Sequence, residues 1–187
     1  MVGIHIAPLN AENLYLFNTG NHYHSYRLLG AHLTSQEGTS GVRFAVWAPN
    51  AEEVWVAGEF NDWNGQNHRM KPLGKSGVWS LFIPGLTANT AYKYDVHTRA
   101  GWSWLKADPY GVYSEVRPNT ASIVYDLSTY QWKDAHWQKA KKEKAAYEQP
   151  MLIYELHMGS WKRGPEGELL TYRELADDLP AYAAGMG

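Results

Sequence analysis

The chain has 187 residues and a formal net charge of -2, with 19% charged residues and no cysteine. This length suits one well-packed domain together with part of another, and the absence of cysteine excludes disulfides and thiolate chemistry. The balanced charges give no positively charged surface for nucleic acid. No signal sequence is present at the N-terminus, and no apolar run approaches the length of a membrane span. We therefore expect a cytoplasmic protein that binds neither nucleic acid nor membrane.

The first predicted segment is an N-terminal arm, residues 1–24, which has no sustained hydrophobic period apart from a possible helical turn near 11–17. His22 and His24 could share one face of a strand, but no third metal ligand lies at a recognisable spacing. We therefore expect no metal and no cofactor.

Short alternating strands begin near Gly41 and continue to about residue 126. In the segment 92–97, for example, Tyr92 and Tyr94 alternate with the polar Lys93, which predicts inward tyrosines and an outward lysine. Closely spaced strands separated by turn residues predict an immunoglobulin-like antiparallel β-sandwich over residues 25–127, in a chain that is mainly β. The predicted strands are 42–47, 54–58, 78–83, 92–97 and 122–126.

The turn that follows the strand 54–58 contains a tryptophan, Trp63, among asparagine, aspartate and glycine. Trp63 is either core or an exposed platform for a flat ligand. The chain has nine Trp and thirteen Tyr but only four Phe. Residues with an apolar face and a polar edge suit partly polar ligands such as pyranose rings; the alternative is that they fill a β-rich core. We assign Trp47, Trp55 and Trp79, which lie within strands, to core or interface.

The residue pattern changes twice in the last part of the chain. Strong helix formers predict a linker helix within residues 128–149. The apolar run 151–158 is typical of a strand buried on both faces of a parallel sheet, and Thr171 and Glu174 have capping-box spacing at the start of a helix. One strand and one helix predict the start of an α/β domain over residues 150–187.

No catalytic constellation is complete in the sequence. Glycoside cleavage needs two carboxylates that flank the scissile bond, and Glu155 on the predicted strand has no second acid in a matching context. We therefore nominate no catalytic residue.

An ordered series of motifs resembles a known family. Residues 41–51 (GVRFAVWAPNA) and 58–65 (GEFNDWNG) look like the family 48 carbohydrate-binding module, and three later motifs continue the pattern. Residues 153–162 (IYELHMGSWK) are similar to the first barrel strand of bacterial glycogen branching enzymes. The three later motifs are 91–94 (AYKY), 105–110 (LKADPY) and 115–122 (EVRPNTAS).

The resemblance implies a (β/α)8 barrel after the module and a retaining mechanism, in which an Asp forms a glycosyl-enzyme and a Glu acts as acid and base. An α-1,4 glucan is then transferred to a 6-hydroxyl, which creates an α-1,6 branch. In the family these carboxylates follow later barrel strands, so we expect this 187-residue chain to be catalytically inactive alone.

The resemblance also implies a site for α-1,4-glucan such as glycogen, amylose or maltooligosaccharides. Trp63 matches the turn tryptophan that stacks on glucose, and Lys93 matches the lysine that donates to ring hydroxyls. Trp102 or Trp104 would be the second aromatic, and Asn119 a further polar contact. The alternative is a module that keeps the fold without the site, its tryptophans packing against the barrel.

Three functions fit the motifs: the N-terminal part of a branching enzyme, a stand-alone glycogen-binding or regulatory module, and the module of a debranching or trehalose-releasing hydrolase. Residues 159–163 (GSWKR) favour the branching enzyme. Residues 151–187 argue against the stand-alone module, because a single βα unit leaves an apolar strand uncovered. We expect that surface to be covered by the sandwich, by a second copy of the chain or by the missing catalytic barrel.

Overall fold

The computed structural model describes residues 5–143, 148 and 150–186, and the chain divides into two units, Met1–Gln131 and Trp132–Gly187. The first unit is mainly β. Its strands are β1 (Gly30–Gln36), β2 (Thr39–Trp47), β3 (Ala51–Gly58), β4 (Lys71–Pro72), β5 (Val78–Pro84), β6 (Ala91–Thr98), β7 (Ser103–Lys106) and β8 (Ser122–Ile123).

These strands form two antiparallel sheets that face each other, which confirms the predicted β-sandwich. One sheet has the order β1-β2-β5-β4, and the other has the order β3-β6-β7, with β8 also paired to β6. A single cluster of buried residues draws on both sheets, including Phe44 and Ile83 from the first and Val56 and Tyr94 from the second. The strands β1, β4 and β7 were not predicted from the sequence.

The alternation predicted for β6 is confirmed, and an aspartate secures its inward face. Tyr92 and Tyr94 are 1% and 0% exposed. Their hydroxyls donate to the same carboxylate oxygen of Asp108, over 2.6 and 3.1 Å, while the backbone N–H of Tyr110 donates to the other oxygen over 2.8 Å. Burial raises the pKa of Asp108, against the lowering effect of these three hydrogen bonds. Burial and the neighbouring aspartate raise the pKa of both tyrosines, so the hydroxyls remain donors.

The N-terminal arm is packed on the outer face of the first sheet. Its helix α1 (Ala11–Asn18) matches the turn predicted near 11–17 and is capped by Asn10. Leu14 and Phe17 pack against a second buried cluster, which consists of Leu28, Leu29, Ala45 and Val78. Because the arm covers this face, β2 is buried on both sides.

A buried arginine ties the same arm to the sheet. Arg43 on β2 is only 7% exposed, and its guanidinium donates to the backbone carbonyls of Ala7, Arg27 and Leu28 over 2.7, 3.2 and 3.1 Å. Burial lowers the pKa of Arg43 to about 10. Carbonyl acceptors thus satisfy most of the donors of a cation that the packed arm removes from water.

In its described residues, the second unit has three α-helices: α2 (Ala135–Glu143), α3 (Met158–Trp161) and α4 (Tyr172–Gly185). The helix predicted within 128–149 is present as α2, while residues 144–147 and 149 of that prediction lie outside the described residues. The predicted capping box of Thr171 and Glu174 begins α4, and Leu175 is buried at 2% exposure. None of the helices in the described part of the chain has the length and apolar character to cross a membrane.

The strand predicted for residues 151–158 is not formed. Residues 151–157 have no regular secondary structure, and α3 begins at Met158. Leu152 and Ile153 are 76% and 85% exposed. A strand needs a neighbour to satisfy its backbone hydrogen bonds, and no partner strand for this segment exists in the described residues.

We expect Asp108→Ala to lower the free energy of unfolding by about 3 kcal/mol, because two buried hydroxyls and one amide would lose their acceptor. Tyr92→Phe removes one donor only and should cost about 1 kcal/mol. Urea denaturation followed by circular dichroism measures both. Asp126→Ala is the control, since that carboxylate accepts from the exposed Ser128 amide and hydroxyl. Equal effects of the two aspartate substitutions would contradict this account.

Candidate functional site

Trp63 lies at the tip of the turn that follows β3, in an unusual backbone conformation. Asp62 and Trp63 both have left-handed φ angles, 52° and 60°. A bulky residue rarely adopts this conformation, and its cost of about 1 kcal/mol or more has to be balanced by the surrounding structure. The Trp63 side chain is nevertheless 38% exposed rather than packed in the core. Such an outlier on an accessible residue makes Trp63 a candidate for a functional position.

Asn61 holds this turn in place. Its amide oxygen accepts from the backbone N–H of Gly58 over 2.9 Å, and its amide nitrogen donates to the carbonyl of Val56 and lies 2.9 Å from His68 Nδ1. Burial lowers the pKa of His68, which favours the neutral ring able to accept that hydrogen bond. The backbone N–H of Trp63 donates to the carbonyl of Gly58 over 2.9 Å.

The turn also lies directly on the outward face of β3. A Cβ atom at Gly65 would come within 2.7 Å of the Cβ atom of Trp55. Only glycine allows so close an approach of the two segments. The position of Trp63 is therefore fixed relative to the sheet.

Lys93 joins Trp63 from the neighbouring strand β6. It lies between the inward-facing Tyr92 and Tyr94, so the lysine projects from the outward face. The Lys93 ammonium lies 6.0 Å from the centroid of the Trp63 ring and donates to Thr120 Oγ1 over 2.8 Å. The structure thus brings together a half-exposed indole, a cation and a hydroxyl.

The loop that supplies Thr120 is organised by Glu115. The Glu115 carboxylate accepts from the backbone N–H of Ala121 over 2.8 Å and from the Asn119 side-chain amide over 3.2 Å. Asn119 is exposed and directly precedes Thr120. The loop lines an open depression formed by Ser114, Glu115, Arg117, Pro118, Asn119 and Thr120.

Trp102 and Trp104 do not join this group. Trp104 is the register partner of the inward-facing Val96, and directly paired residues of antiparallel strands project from the same face. Trp102, two residues earlier, lies on that face too. Leu105 pairs with Asp95 instead and projects from the Lys93 face, where its side chain is 48% exposed.

Sequence reasoning missed Leu105 and Thr120. No signal in the sequence distinguishes Leu105 from Trp104, because the face of β7 depends on how its hairpin closes. Asn119, the neighbour of Thr120, was predicted as a site residue. The contact of Thr120 with Lys93, however, depends on the conformation of the loop, which no sequence pattern indicates.

The remaining strand tryptophans differ in burial. Trp79 is 7% exposed, and its indole N–H donates to the carbonyl of Ala48 over 3.0 Å. Trp55 is partly buried against the ring of His97. Trp47 is 52% exposed and contacts Phe17 edge-on. The prediction of core or interface thus holds fully for Trp79, while Trp47 remains largely accessible.

The combined chemistry of the site suits an uncharged polar ring. A flat apolar surface can cover the C–H face of a sugar, while the ammonium, hydroxyl and amide groups can bond to hydroxyls at its rim. In the part of the chain that the structure describes, no group of three or more His, Asp or Glu is placed to hold a metal ion.

Comparisons with known proteins fit this chemistry. Residues 28–111 match the family model of carbohydrate-binding module 48, the isoamylase N-terminal domain. The chain is 51% identical over 176 residues to a 1,4-alpha-glucan branching enzyme of Bacillus subtilis strain 168. The aligned residues cover 94% of this chain and 28% of that protein. It is also 51% identical over 180 residues to the branching enzyme of Bacillus caldolyticus, covering 96% of this chain and 27% of the relative.

A solved structure is similar as well. The crystal structure of a Salmonella typhimurium protein assigned as an alpha amylase superposes with a TM-score of 0.59 and 26% identity. The superposition covers 83% of this chain and 22% of that protein. The chain thus spans somewhat more than a quarter of the length of the curated relatives that it matches.

We expect Asn61→Ala to loosen the turn that carries Trp63 and to lower the free energy of unfolding by about 1–3 kcal/mol, because the Gly58 amide and the Val56 carbonyl lose their partner. Hydrogen exchange should show faster exchange at the Trp63 amide. Asn64→Ala is the matched control, since the Asn64 side chain accepts from the exposed Gln66 amide. An unchanged Trp63 amide in Asn61→Ala would show that the turn does not depend on this side chain.

Proposed function

We propose that this chain binds α-1,4-glucan through Trp63 and Lys93. The proposal starts from the match of residues 28–111 to the family model of carbohydrate-binding module 48, in a chain related over 94% of its length to a 1,4-alpha-glucan branching enzyme. The ligands would be glycogen, amylose and maltooligosaccharides. The chain would hold or position the glucan for the catalytic domain of a longer enzyme.

One observation carries this proposal: Trp63 is held half-exposed in a left-handed turn, with the Lys93 ammonium 6.0 Å from its ring. A tryptophan used for packing alone would be buried and would have no reason to occupy a strained backbone position. Exposure of the flat ring beside a hydrogen-bond donor is the arrangement that a pyranose requires.

The residues of the site would divide the recognition between them. The Trp63 ring would stack on one face of a glucose unit, and Lys93, already oriented by Thr120, would donate to its hydroxyls. Leu105 extends the apolar surface on the same face of the sheet. Asn119 would add a donor or an acceptor from the loop that Glu115 organises.

We further propose how the chain fits into a longer enzyme. Residues 1–24 would be an arm, 25–127 the module, 128–149 a linker helix and 150–187 the start of a (β/α)8 barrel. The parent would cleave α-1,4-glucan by a retaining mechanism and transfer it to a 6-hydroxyl, with both catalytic carboxylates outside this chain, so that the chain alone would form no branches. The proposal retains the cytoplasmic location expected from the sequence.

The stand-alone module and the debranching or trehalose-releasing hydrolase are not favoured. The similarity to branching enzymes extends over 176 and 180 residues, far beyond the 28–111 segment that matches the module. A free module would have no need of the second unit.

We expect Trp63→Ala to weaken binding of maltoheptaose by about tenfold or more, which corresponds to about 1.4 kcal/mol, because the stacking surface is removed. Lys93→Met should weaken it by a smaller factor, through the loss of one charged donor. Isothermal titration calorimetry measures both affinities.

Trp137→Ala is the matched control for Trp63→Ala. Trp137 is 57% exposed and has the Lys141 ammonium 5.0 Å from its ring, so it presents the same pair of groups outside the module. Thermal unfolding should show that both variants remain folded. If Trp63→Ala and Trp137→Ala bind maltoheptaose as tightly as the wild type does, Trp63 is not a ligand contact.

We also propose that the exposed apolar segment 151–153 leads copies of this chain to self-associate. Met151, Leu152 and Ile153 are 64%, 76% and 85% exposed. Sedimentation velocity should show a concentration-dependent average mass that falls toward 21.2 kDa in Ile153→Glu. Tyr23→Glu is the control, because Tyr23 is also 85% exposed but lies in the first unit. A wild-type monomer at all concentrations, with residues 151–158 protected from hydrogen exchange, would contradict the proposal.

A further inference from the structure

His68 lies beside the turn that carries Trp63, and several contacts fix its position. Its backbone carbonyl accepts from the N–H of Val56 over 3.0 Å, and its own N–H donates to the carbonyl of Gly65 over 2.7 Å. The imidazole ring packs edge-on against the Phe60 ring, with the two centroids 5.1 Å apart. Both the backbone and a neighbouring ring therefore hold the imidazole, which gives its Nδ1 atom a defined position.

The partners of Asn61 decide which ring nitrogen of His68 carries a proton. The Gly58 N–H can only donate and the Val56 carbonyl can only accept, so the Asn61 amide oxygen must face the first and its nitrogen the second. The same amide nitrogen lies 2.9 Å from His68 Nδ1, and because this nitrogen can only donate, Nδ1 must accept. The hydrogen bonds of Asn61 are therefore complete only while Nδ1 carries no proton.

A proton on Nδ1 would break this arrangement. The N–H group of the imidazolium would then face the NH2 group of Asn61, and two donors cannot form a hydrogen bond. Exchanging the amide oxygen and nitrogen of Asn61 does not resolve the conflict, because the oxygen would face the Val56 carbonyl and the nitrogen the Gly58 N–H. Asn61 must therefore move away from the charged ring, and the turn loses the side chain that holds it.

We propose that His68 is a positioning residue for Trp63, and that protonation of its ring loosens the turn and weakens the binding of α-glucan. The inference rests on the proposed function for its ligand, whereas the response of the turn to the proton rests on the contacts of Asn61 alone. It adds to that function a dependence on pH that the indole of Trp63, which does not titrate, cannot supply.

The surroundings of His68 set the pH range of this effect. Burial lowers the pKa of His68 from its ordinary value of 6.5, and in the described residues no charged group adds to the shift. The nearby charged side chains are Glu59 and Asp62 on the turn, Glu53 on β3, and Arg69, which pairs with Glu53. The neutral ring thus prevails at pH 7, and protonation loosens the turn only in acidic solution, as the pH falls through the lowered pKa.

The proton and the glucan would then oppose each other through the turn. A ligand that prefers the form with neutral His68 lowers the pKa of His68 by the same coupling, because linkage is reciprocal. The affinity for glucan should therefore be constant well above this pKa and should fall as the pH passes through it. Addition of glucan should lower the pKa further.

The test is an NMR pH titration of the whole chain, in which the ring signals of His68 give its pKa and the backbone amide of Trp63 reports on the turn. We expect the Trp63 amide signal to follow the pKa of His68 and its protection factor against hydrogen exchange to fall below that pKa. Calorimetry with maltoheptaose one pH unit above and one below this pKa should give an affinity about fivefold lower at the lower pH. Saturating maltoheptaose should lower the pKa of His68.

Two substitutions separate the effect of the proton from that of the ring. His68→Asn places an amide oxygen near the position of Nδ1, so it retains an acceptor that does not titrate and should bind maltoheptaose equally at both pH values. His68→Phe retains a ring against Phe60 but no acceptor, and should bind about fivefold more weakly than the wild type at the higher pH, without pH dependence. Thermal unfolding checks that both variants are folded.

His97→Asn is the matched control. His97 lies on the outward face of β6, where its ring contacts Trp55 and its Nε2 atom lies 3.1 Å from Asp95 Oδ2. This variant removes a second histidine from the same sheet and should keep the pH dependence of the wild type. If the pH dependence is lost in His97→Asn and kept in His68→Asn, the inference is wrong.

The remaining outcomes distinguish this inference from the proposed function. If maltoheptaose binds but its affinity falls equally in the wild type and in His68→Asn, the role of His68 is wrong and the Trp63 site stands. A Trp63 amide that does not respond to the pKa of His68 also overturns the inference. If no maltoheptaose binds, while the Trp63 amide follows this pKa in the wild type and not in His68→Asn, the proposed ligand is wrong and the control of the turn by His68 stands.

Discussion

The hydrogen bonds between Asp108 and the two inward tyrosines of β6 determine the geometry on which the site depends. Tyr92 and Tyr94 alternate with Lys93, so an anchor on one face fixes the direction of the side chain on the other. β6 also lies at the centre of its sheet, where it pairs with β3, β7 and β8. Three segments follow or adjoin strands in register with β6: the turn with Trp63, the hairpin with Leu105 and the loop with Thr120. A displaced β6 would therefore separate all of these groups.

The opposite sheet is stabilised by a different device. There Arg43 bonds to the backbone carbonyl of Ala7 in the arm and to those of Arg27 and Leu28, and the arm in turn covers the outer face of β2. The outer faces of the two sheets thus differ in exposure. The outer face of the first sheet is covered by the N-terminal arm, whereas that of the second is accessible around Trp63 and Lys93. This asymmetry leaves one outer face of the sandwich available to a ligand.

The sequence predicted those features that arise from local period and turn chemistry. The alternation around Lys93 and the capping box of Thr171 required no knowledge of distant contacts. The side of the sheet on which Trp102 and Trp104 lie was not accessible in this way, because a shift by one residue in the closure of the hairpin exchanges the two faces. The run 151–158 failed as a strand for a related reason: its apolar residues favour burial, but a strand exists only beside a partner, and no sequence period supplies one.

The left-handed turn at Asp62 and Trp63 has a consequence for the thermodynamics of recognition. Because the bonds of Asn61 and the close contact of Gly65 fix the backbone during folding, the indole is preorganised before any sugar arrives. Association then requires little further loss of conformational entropy at this position. In the proposed function, a flexible polysaccharide would thus meet a rigid surface, and the ordering on binding would fall mainly on the sugar chain.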